Sequence, residues 1–320
     1  MPSDPPLAAD ARAALPIVRA AFEATGSGSW LMRAILDGGL DRAHGYRLVL
    51  ELADDRMRGA RQATEARLID GQVDVIDTDW LSLARHRAAG LPLVAAAPYG
   101  AIFGGLVAPR DGALRSLADL PGRRIGFVHA QDKNWLLLRA ACRQRHGFDP
   151  AAVAHCVATG SKTALREALQ AGRVDAALLY WHQVPAQVAG AGFVEVCDLV
   201  ELLDGLPGGG TRVPSTFFVF HDALVATQPA LVRGFARSVG EAAARLRKDA
   251  VLWARISGLR CGAGECGRVG AAVRRKWLAR IGLPWAPHMI DTLGALAALL
   301  APDGAPHALP DGTFAAGFLH

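Results

Sequence analysis

Two stretches of the chain can be laid on one another: ARLIDGQVDVIDTDW (66–80) and EALQAGRVDAALLYW (167–181). Leu68 falls over Leu169, Gly71 over Gly172, Val73 over Val174, Asp74 over Asp175 and Trp80 over Trp181. A single GxVD match would carry little weight, since glycine ends many helices ahead of a strand. Here the flanking elements recur as well. Residues 14–21 (ALPIVRAA) read as a buried strand, TGSGS as a tight polar loop, and 30–40 as a helix. YRLVLELA follows as a period-two strand, 57–70 as a helix and VDVID as a third strand. From position 124 the order returns as RIGFV, HAQDK, a helix over 135–145, VAHCVA, a helix over 162–171 and VDAALLY. The helix starts match too, Ser29-Trp30-Leu31 against Asn134-Trp135-Leu136.

Strand and helix alternation of this kind demands crossover connections and therefore mainly parallel sheets. Two copies predict an α/β chain of two lobes with flanking helices. Residues 14–107 and 217–320 are expected in lobe 1 and 108–216 in lobe 2, with crossing segments near 105–110 and 213–220. A Gly/Pro-rich loop (204–214) precedes the strand TFFVF, a helical pattern runs from 222 to about 299, and the tail is turn-rich. A length of 320 residues suits two such units.

Composition narrows the function classes. With 51% apolar residues the chain is not disordered. No apolar run approaches the ~18 to 20 uncharged residues of a membrane span, so a soluble chain is expected. The net charge of +5 suits anionic partners, yet the arginines are scattered and no basic block marks a nucleic-acid binder. Cys142, Cys156 and Cys197 read as small core residues, whereas Cys261 and Cys266 flank a Gly-Ala-Gly-Glu loop short enough for a local disulfide. With no CxxC pair, no HExxH and dispersed histidines, no metal site is expected.

In open α/β sheets, ligands gather outside the carboxyl ends of the strands, where helix N-termini attract anions. That rule selects Ser27, Ser29 and Trp30, then Asp77, Asp79 and Trp80, then Tyr99 in the first lobe. In the second it selects Lys133, Asn134 and Trp135, then Ser161 and Lys162, then Tyr180, Trp181 and His182. Arg212, in the Gly/Pro loop, joins them as a further cation. Asn134 is expected to cap its helix, either with Trp135 turning a ring to the cleft and Lys133 adding charge beside the positive helix end, or with Trp135 packed in the core and Lys133 pointing into water. Six of the large rings fall at these strand ends, which suits a ligand with a flat face or, alternatively, an apolar contact between the lobes. Asp77 and Asp79 would receive N–H donors from a ligand, cap the next helix, or pair with lysines across a closed cleft.

On these residues the chain resembles the periplasmic substrate-binding proteins of ABC importers in the nitrate, sulfonate, taurine and thiamine-pyrimidine group. LIDGQVDV, GLPLVAAAPYG (90–100), LRSLADLPGRRIGF (114–127), ALQAGRVDAALLYW (168–181) and ALVATQPALVRGFARSVGEAAARL (223–246) carry the likeness, which spans residues 14–256. The resemblance implies a type II binding-protein fold, a monomer that closes on one small molecule, and delivery to a permease in the inner membrane. It implies a periplasmic location too. MPSDPPLAAD has neither a basic n-region nor an apolar h-region, so a leader is expected to have been removed.

Fungal thiamine-pyrimidine synthases are similar but carry a cysteine-rich motif without a counterpart here. Chorismate-dehydratase-like enzymes share the two-lobe plan and stand as the alternative to a binder without catalysis. No catalytic cofactor is expected. The sharpest ligand candidate is pyrroloquinoline quinone, a planar polyanion that would stack on the rings and meet Lys133 and Lys162. Sulfonate or taurine and the thiamine pyrimidine are the alternatives, and Asp77 and Asp79 would suit the pyrimidine's amino group.

Overall fold

The computed structural model describes residues 15–59, 61–190, 192–206, 213–262, 264–301, 309–315 and 317. The first lobe begins β1 (Ile17–Glu23), α1 (Gly28–Asp37), β2 (Arg47–Ala53), α2 (Ala63–Ile69), β3 (Ile76–Asp79), α3 (Trp80–Ala88) and β4 (Leu93–Gly100). The chain then crosses into β5 (Gly105–Pro109), β6 (Arg124–Phe127), α4 (Lys133–His146), β7 (His155–Ala158), α5 (Lys162–Gln170), β8 (Ala176–Leu179), β9 (Phe193–Asp198) and α6 (Leu199–Asp204). It returns as β10 (Thr216–His221) and continues through α7 (Pro229–Lys248), α8 (Ala250–Ser257), α9 (Gly264–Leu278) and α10 (Met289–Leu300).

The two sheets have one topology. In the first, β1 and β2 pair in parallel, β10 runs antiparallel between β3 and β4, and a parallel bridge from Ala20 to Val75 joins the pieces into the order β2-β1-β3-β10-β4. In the second the order is β7-β6-β8-β5-β9, with β5 antiparallel to both neighbours. Each lobe thus receives its one reversed strand directly from a crossing. The register of β10 sets Thr216 opposite both Asp79 and Gly100, at the mouth of the crossing.

The sequence repeat is a physical clamp used twice. Arg19 on β1 donates its backbone N–H and guanidinium to Asp74 at 2.7 Å each, and Arg124 on β6 does the same to Asp175 at 2.8 and 2.6 Å. Each aspartate's own N–H returns to the arginine carbonyl, at 2.7 and 2.8 Å. Gly71 and Gly172 end the preceding helices at φ of 68° and 65°, a left-handed conformation costly for a residue with a Cβ. The GxVD signature is therefore a helix stop followed by a carboxylate that fastens the parallel strand next door.

Three apolar cores follow from this plan among the described residues, the smallest packing α5 on the second sheet around Leu165 and Val107. Of the other two, one packs α1, α7, α8 and α9 on the first sheet around Trp30, Trp253 and Trp277. The other runs from Leu68 and Trp80 of the first lobe through Phe103 to Leu137 and Leu203 of the second. Helix α10 completes it, packing on α4 of the second lobe while Leu293 accepts the Trp80 indole N–H at 3.1 Å. Cys142 is buried as expected, but Cys156 is exposed, because β7 is the outer strand of its sheet. Cys261 and Cys266 are exposed free thiols, so the local disulfide is not formed; Cys266 lies in the first turn of α9.

Candidate functional site

The ends of β1, β3 and β4 face the ends of β6 and β8 across a cavity of about 70 Å³ between the lobes. Ser27, Asp77, Asp79, Tyr99, Lys133, Lys162, Tyr180, Trp181 and His182 all line it, as the strand-end rule predicts. Ile102, in the stretch after Tyr99, lines it too, whereas Glu23, Gln62 and Thr216 line it and escape that rule. Glu23 had a visible signal: it is the carboxylate that ends the apolar strand IVRAAFE, two residues before the point where the loop was expected to begin. Thr216 had none, because only the pairing of β10 beside β3 brings it there.

The walls differ in charge. From the first lobe come Glu23, Asp77 and Asp79; from the second come Lys133 and Lys162. Lys162 forms an ion pair with Glu23 across the cleft, both side chains being only 10% exposed, and its ammonium sits 4.1 Å above the Tyr180 ring. Lys133 donates to Thr216 Oγ1 at 3.0 Å, again across the cleft. Burial pushes the Lys133 ammonium below its ordinary range, and Asp79 and Asp132 oppose that shift.

The two aspartates have separate jobs. Asp79 Oδ1 caps α3 by accepting from the N–H groups of Leu81 and Ser82 at 3.0 Å, while its Oδ2 takes the Ser82 hydroxyl at 3.1 Å. Burial raises its pKa, but Lys133, Arg85 and the cap bonds outweigh burial and hold it below the usual carboxylate value. Among the described residues no hydrogen bond from another residue reaches the Asp77 carboxylate; its own backbone N–H is its donor. Burial, with Glu23 adding like charge, pushes its carboxyl up to about 6. Its place depends on Gly28: a Cβ there would stand 2.8 Å from Asp77 Oδ2 and 2.9 Å from the Phe22 ring.

The remaining polar groups are ordered. Tyr99 donates to Ser27 Oγ at 2.6 Å and Tyr180 to Asp132 Oδ2 at 3.0 Å. Burial keeps the pKa of both phenols above the usual value. His182 is pushed down to about 3 by burial and by Lys162, so it stands as a neutral imidazole whose Nε2 has no protein partner. Among the described residues the cavity thus presents a carboxylate that no other residue's donor reaches and an imidazole nitrogen without a partner.

Several expected site residues are placed elsewhere. Asp132, not Asn134, caps α4, accepting the Asn134 N–H at 2.9 Å. Asn134 instead accepts the Gly104 N–H at 2.9 Å and so ties the helix start to the crossing strand. The Trp135 ring lies in the core, stacked on Phe127 at 4.4 Å, because the first turn of α4 turns it toward its own sheet. Trp80 is fully buried against Phe103, and Trp30 packs edge-on to Trp181 and Trp253 behind the cleft. Ser29 bonds its own loop at Gly26 O, 2.7 Å away, and Ser161 caps α5. Arg212 lies outside the described residues. Three rings, Tyr99, Tyr180 and Trp181, remain as walls of the cavity.

Among the described residues no three histidine, cysteine or acidic side chains gather as a metal site, and no helix is long and apolar enough to cross a membrane.

A sequence model of the family described as NMT1/THI5 like matches residues 57–249, ending one residue past α7. The chain belongs to the NMT1/THI5-like family. No curated protein matches its sequence. Among solved structures it is similar to the alkanesulfonate-binding protein SsuA from Xanthomonas axonopodis pv. citri bound to MOPS, at 19% identity and a TM-score of 0.72, covering 94% of this chain and 99% of that one. The periplasmic aliphatic sulphonate binding protein SsuA from Escherichia coli aligns at 18% identity and a TM-score of 0.67, over 89% of this chain and 85% of that one. The Candida albicans CA3427 gene product, described as having the generic periplasmic binding protein fold, aligns at 12% identity and 0.65, over 91% and 92%. At such identities the likeness establishes the two-lobed periplasmic-binding-protein fold of this NMT1/THI5-like chain.

Proposed function

We propose that the chain is the substrate-binding protein of an ABC importer, working on the periplasmic side as a monomer and passing its ligand to a permease in the inner membrane. Family membership and the fold of the sulfonate-binding relatives support the transport role. The ligand, on this reading, is a small molecule with an N–H-donating or cationic end, an amine or amino-heterocycle, and an acceptor or anionic end. The observation that carries it is Asp77, which no donor of another described residue reaches, facing lysines across a closed cleft. A buried carboxyl without a partner is costly unless a donor meets it. A wholly anionic ligand would leave that cost in place and add repulsion.

Size points the same way. A cavity of about 150 Å³ takes up benzene, and this one, as closed, is about 70 Å³. Taurine and the aminopyrimidine are nearer that scale than pyrroloquinoline quinone, which would need the lobes to part further. A planar anion keeps one argument as the second reading: Tyr180 under Lys162, with Trp181 beside it, forms a ring-and-cation wall.

Calorimetric titration of taurine, a 4-aminopyrimidine and pyrroloquinoline quinone against wild type, Asp77→Asn and Lys133→Ala separates these readings. An amine-bearing ligand should bind wild type and lose about tenfold or more with Asp77→Asn. Tight binding of the quinone that ignores Asp77 but needs Lys133 would favour the second reading. Consumption of any bound compound would replace the binder with an enzyme of the same fold.

A further inference from the structure

Beyond the inner cavity lies a second recess, of about 220 Å³, lined by Arg61, Glu65, Ser82, Arg85 and His86 of the first lobe and Gln131 of the second. Ser82 is the wall between the two: its hydroxyl donates to Asp79, which lines the inner cavity, and accepts from Arg85 Nη2 at 2.7 Å. Gln62, next to Arg61 in the chain, also lines the inner cavity. The recess is therefore the mouth of the cleft, completed when Gln131 of the opposite lobe is brought against it.

Its charge is the reverse of the inner wall supplied by the same lobe. The one carboxylate, Glu65, is buried and already accepts from the Gln62 N–H at 2.9 Å and Thr78 Oγ1 at 2.7 Å, with the His86 ring 3.4 Å away. Arg85 has the Ser82 hydroxyl as its hydrogen-bonding partner, and among the described residues neither Arg85 nor Arg61 has a carboxylate within ion-pair distance. Elsewhere the chain uses arginines in two-point carboxylate contacts, as in Arg19–Asp74, Arg124–Asp175 and Arg139–Asp149. Two guanidinium groups without such partners among the described residues line one recess with the Gln131 amide and form a donor set that lacks its acceptor. A guanidinium fork matches the paired oxygens of an oxyanion.

We propose that Arg61, Arg85 and Gln131 form an oxyanion subsite at the mouth of the cleft, which takes a phosphate or sulfonate group as the lobes close. The group is either a free anion bound beside the ligand or the anionic end of the captured molecule; only this second source rests on the ligand reading given above. In either case the subsite supplies the counter-charge that the acid wall of the inner cavity does not.

Inorganic phosphate is the direct probe, titrated at constant ionic strength with sodium chloride as balance and followed by calorimetry and by the thermal midpoint. Wild type should show saturable binding, Arg61→Ala about tenfold weaker binding, and Arg61→Ala/Arg85→Ala none. Arg61 is exposed on a hairpin, so its single variant stays informative if the double variant folds poorly. Absence of a saturable phosphate response in wild type, or an equal response in Arg61→Ala, overturns the subsite. Loss of the phosphate response in Asp77→Asn but not in Arg61→Ala also overturns it, by placing the anion in the inner cavity. A gain of 2-aminoethyl phosphate over ethanolamine in wild type that vanishes in Arg61→Ala assigns the subsite to the ligand's own tail. Phosphate binding without that gain assigns it to a free anion. Failure of ethanolamine alone would count against the amine reading and leave the phosphate result standing.

Discussion

The two lobes share a sheet order, a helix stop and an Arg–Asp clamp, yet the chemistry at their strand ends is opposite. The first lobe ends its strands in Glu23, Asp77 and Asp79; the second opens the helices that follow its strands with Lys133 and Lys162. The repeat is thus conserved where it fastens strand to strand and divergent where it faces the cleft. The difference shows that the scaffold and the site obey separate constraints: the clamp needs one geometry in both copies, whereas a cleft between like-charged walls would be driven open by repulsion. Opposed charge draws the lobes together, and a ligand must replace part of that attraction at both ends.

Trp80 and Trp181, matched in the repeat, sharpen the contrast most. Trp80 is fully buried in the core shared by the lobes and bonds to Leu293 of α10, whereas Trp181 also lines the cavity. Trp80→Ala should cost about 3 to 5 kcal/mol of stability, read from denaturant unfolding. A loss confined to ligand affinity would mean that the two tryptophans are equivalent after all.

The Lys162–Glu23 pair is the latch between opposite walls. Glu23→Gln should shift the unliganded chain toward an open form by up to ~3 kcal/mol, since removing one partner of a buried pair leaves the other charge uncompensated. Small-angle scattering checks this as a larger radius of gyration without ligand, restored at ligand saturation. An unchanged radius would show that the walls do not hold each other.

Asp77 makes the comparison depend on pH. Its carboxyl has an ordinary value of 3.8 and is held at about 6 in the folded chain, so between those values the folded state binds more protons than the unfolded state. Stability without ligand should therefore fall as pH rises through that window and remain lower above it; Asp77→Asn should remove this fall. Affinity for an amine should run the other way, weakening about tenfold per pH unit below 6 because the donor needs the ionised carboxylate. A profile for Asp77→Asn that matches wild type would assign the titration elsewhere.

The smallest effect tests what the lobes share. Asp74→Ala and Asp175→Ala each remove one clamp, and each should lower the melting temperature by a few degrees, by similar amounts. A large inequality would break the equivalence of the two copies.

What the sequence determined by itself is the part written in local chemistry. The period-two strands, the GxVD stops and the repeat at matched spacing required two α/β lobes, because parallel strands need crossovers and an unfastened strand end needs a partner. The strand-end rule then found Asp77, Lys133, Lys162, Tyr180 and His182 at the cleft, since position along a strand fixes which end of the sheet a residue occupies. Direction of a side chain within a helix turn was not legible in this way. Trp135 and Trp80 begin helices at the right end of the sheet, but the turn rotates both rings into the core, and one residue of phase decides that. Nor could the sequence show that Asp132 rather than Asn134 would take the cap, a choice between two neighbouring acceptors made by where Gly104 needed a partner. Thr216 beside Asp79, Gln131 beside Arg61 and Leu293 over Trp80 join residues far apart in the chain. Only the tertiary structure brings them together, because lobe closure and the returning strand set those distances and no local pattern encodes them.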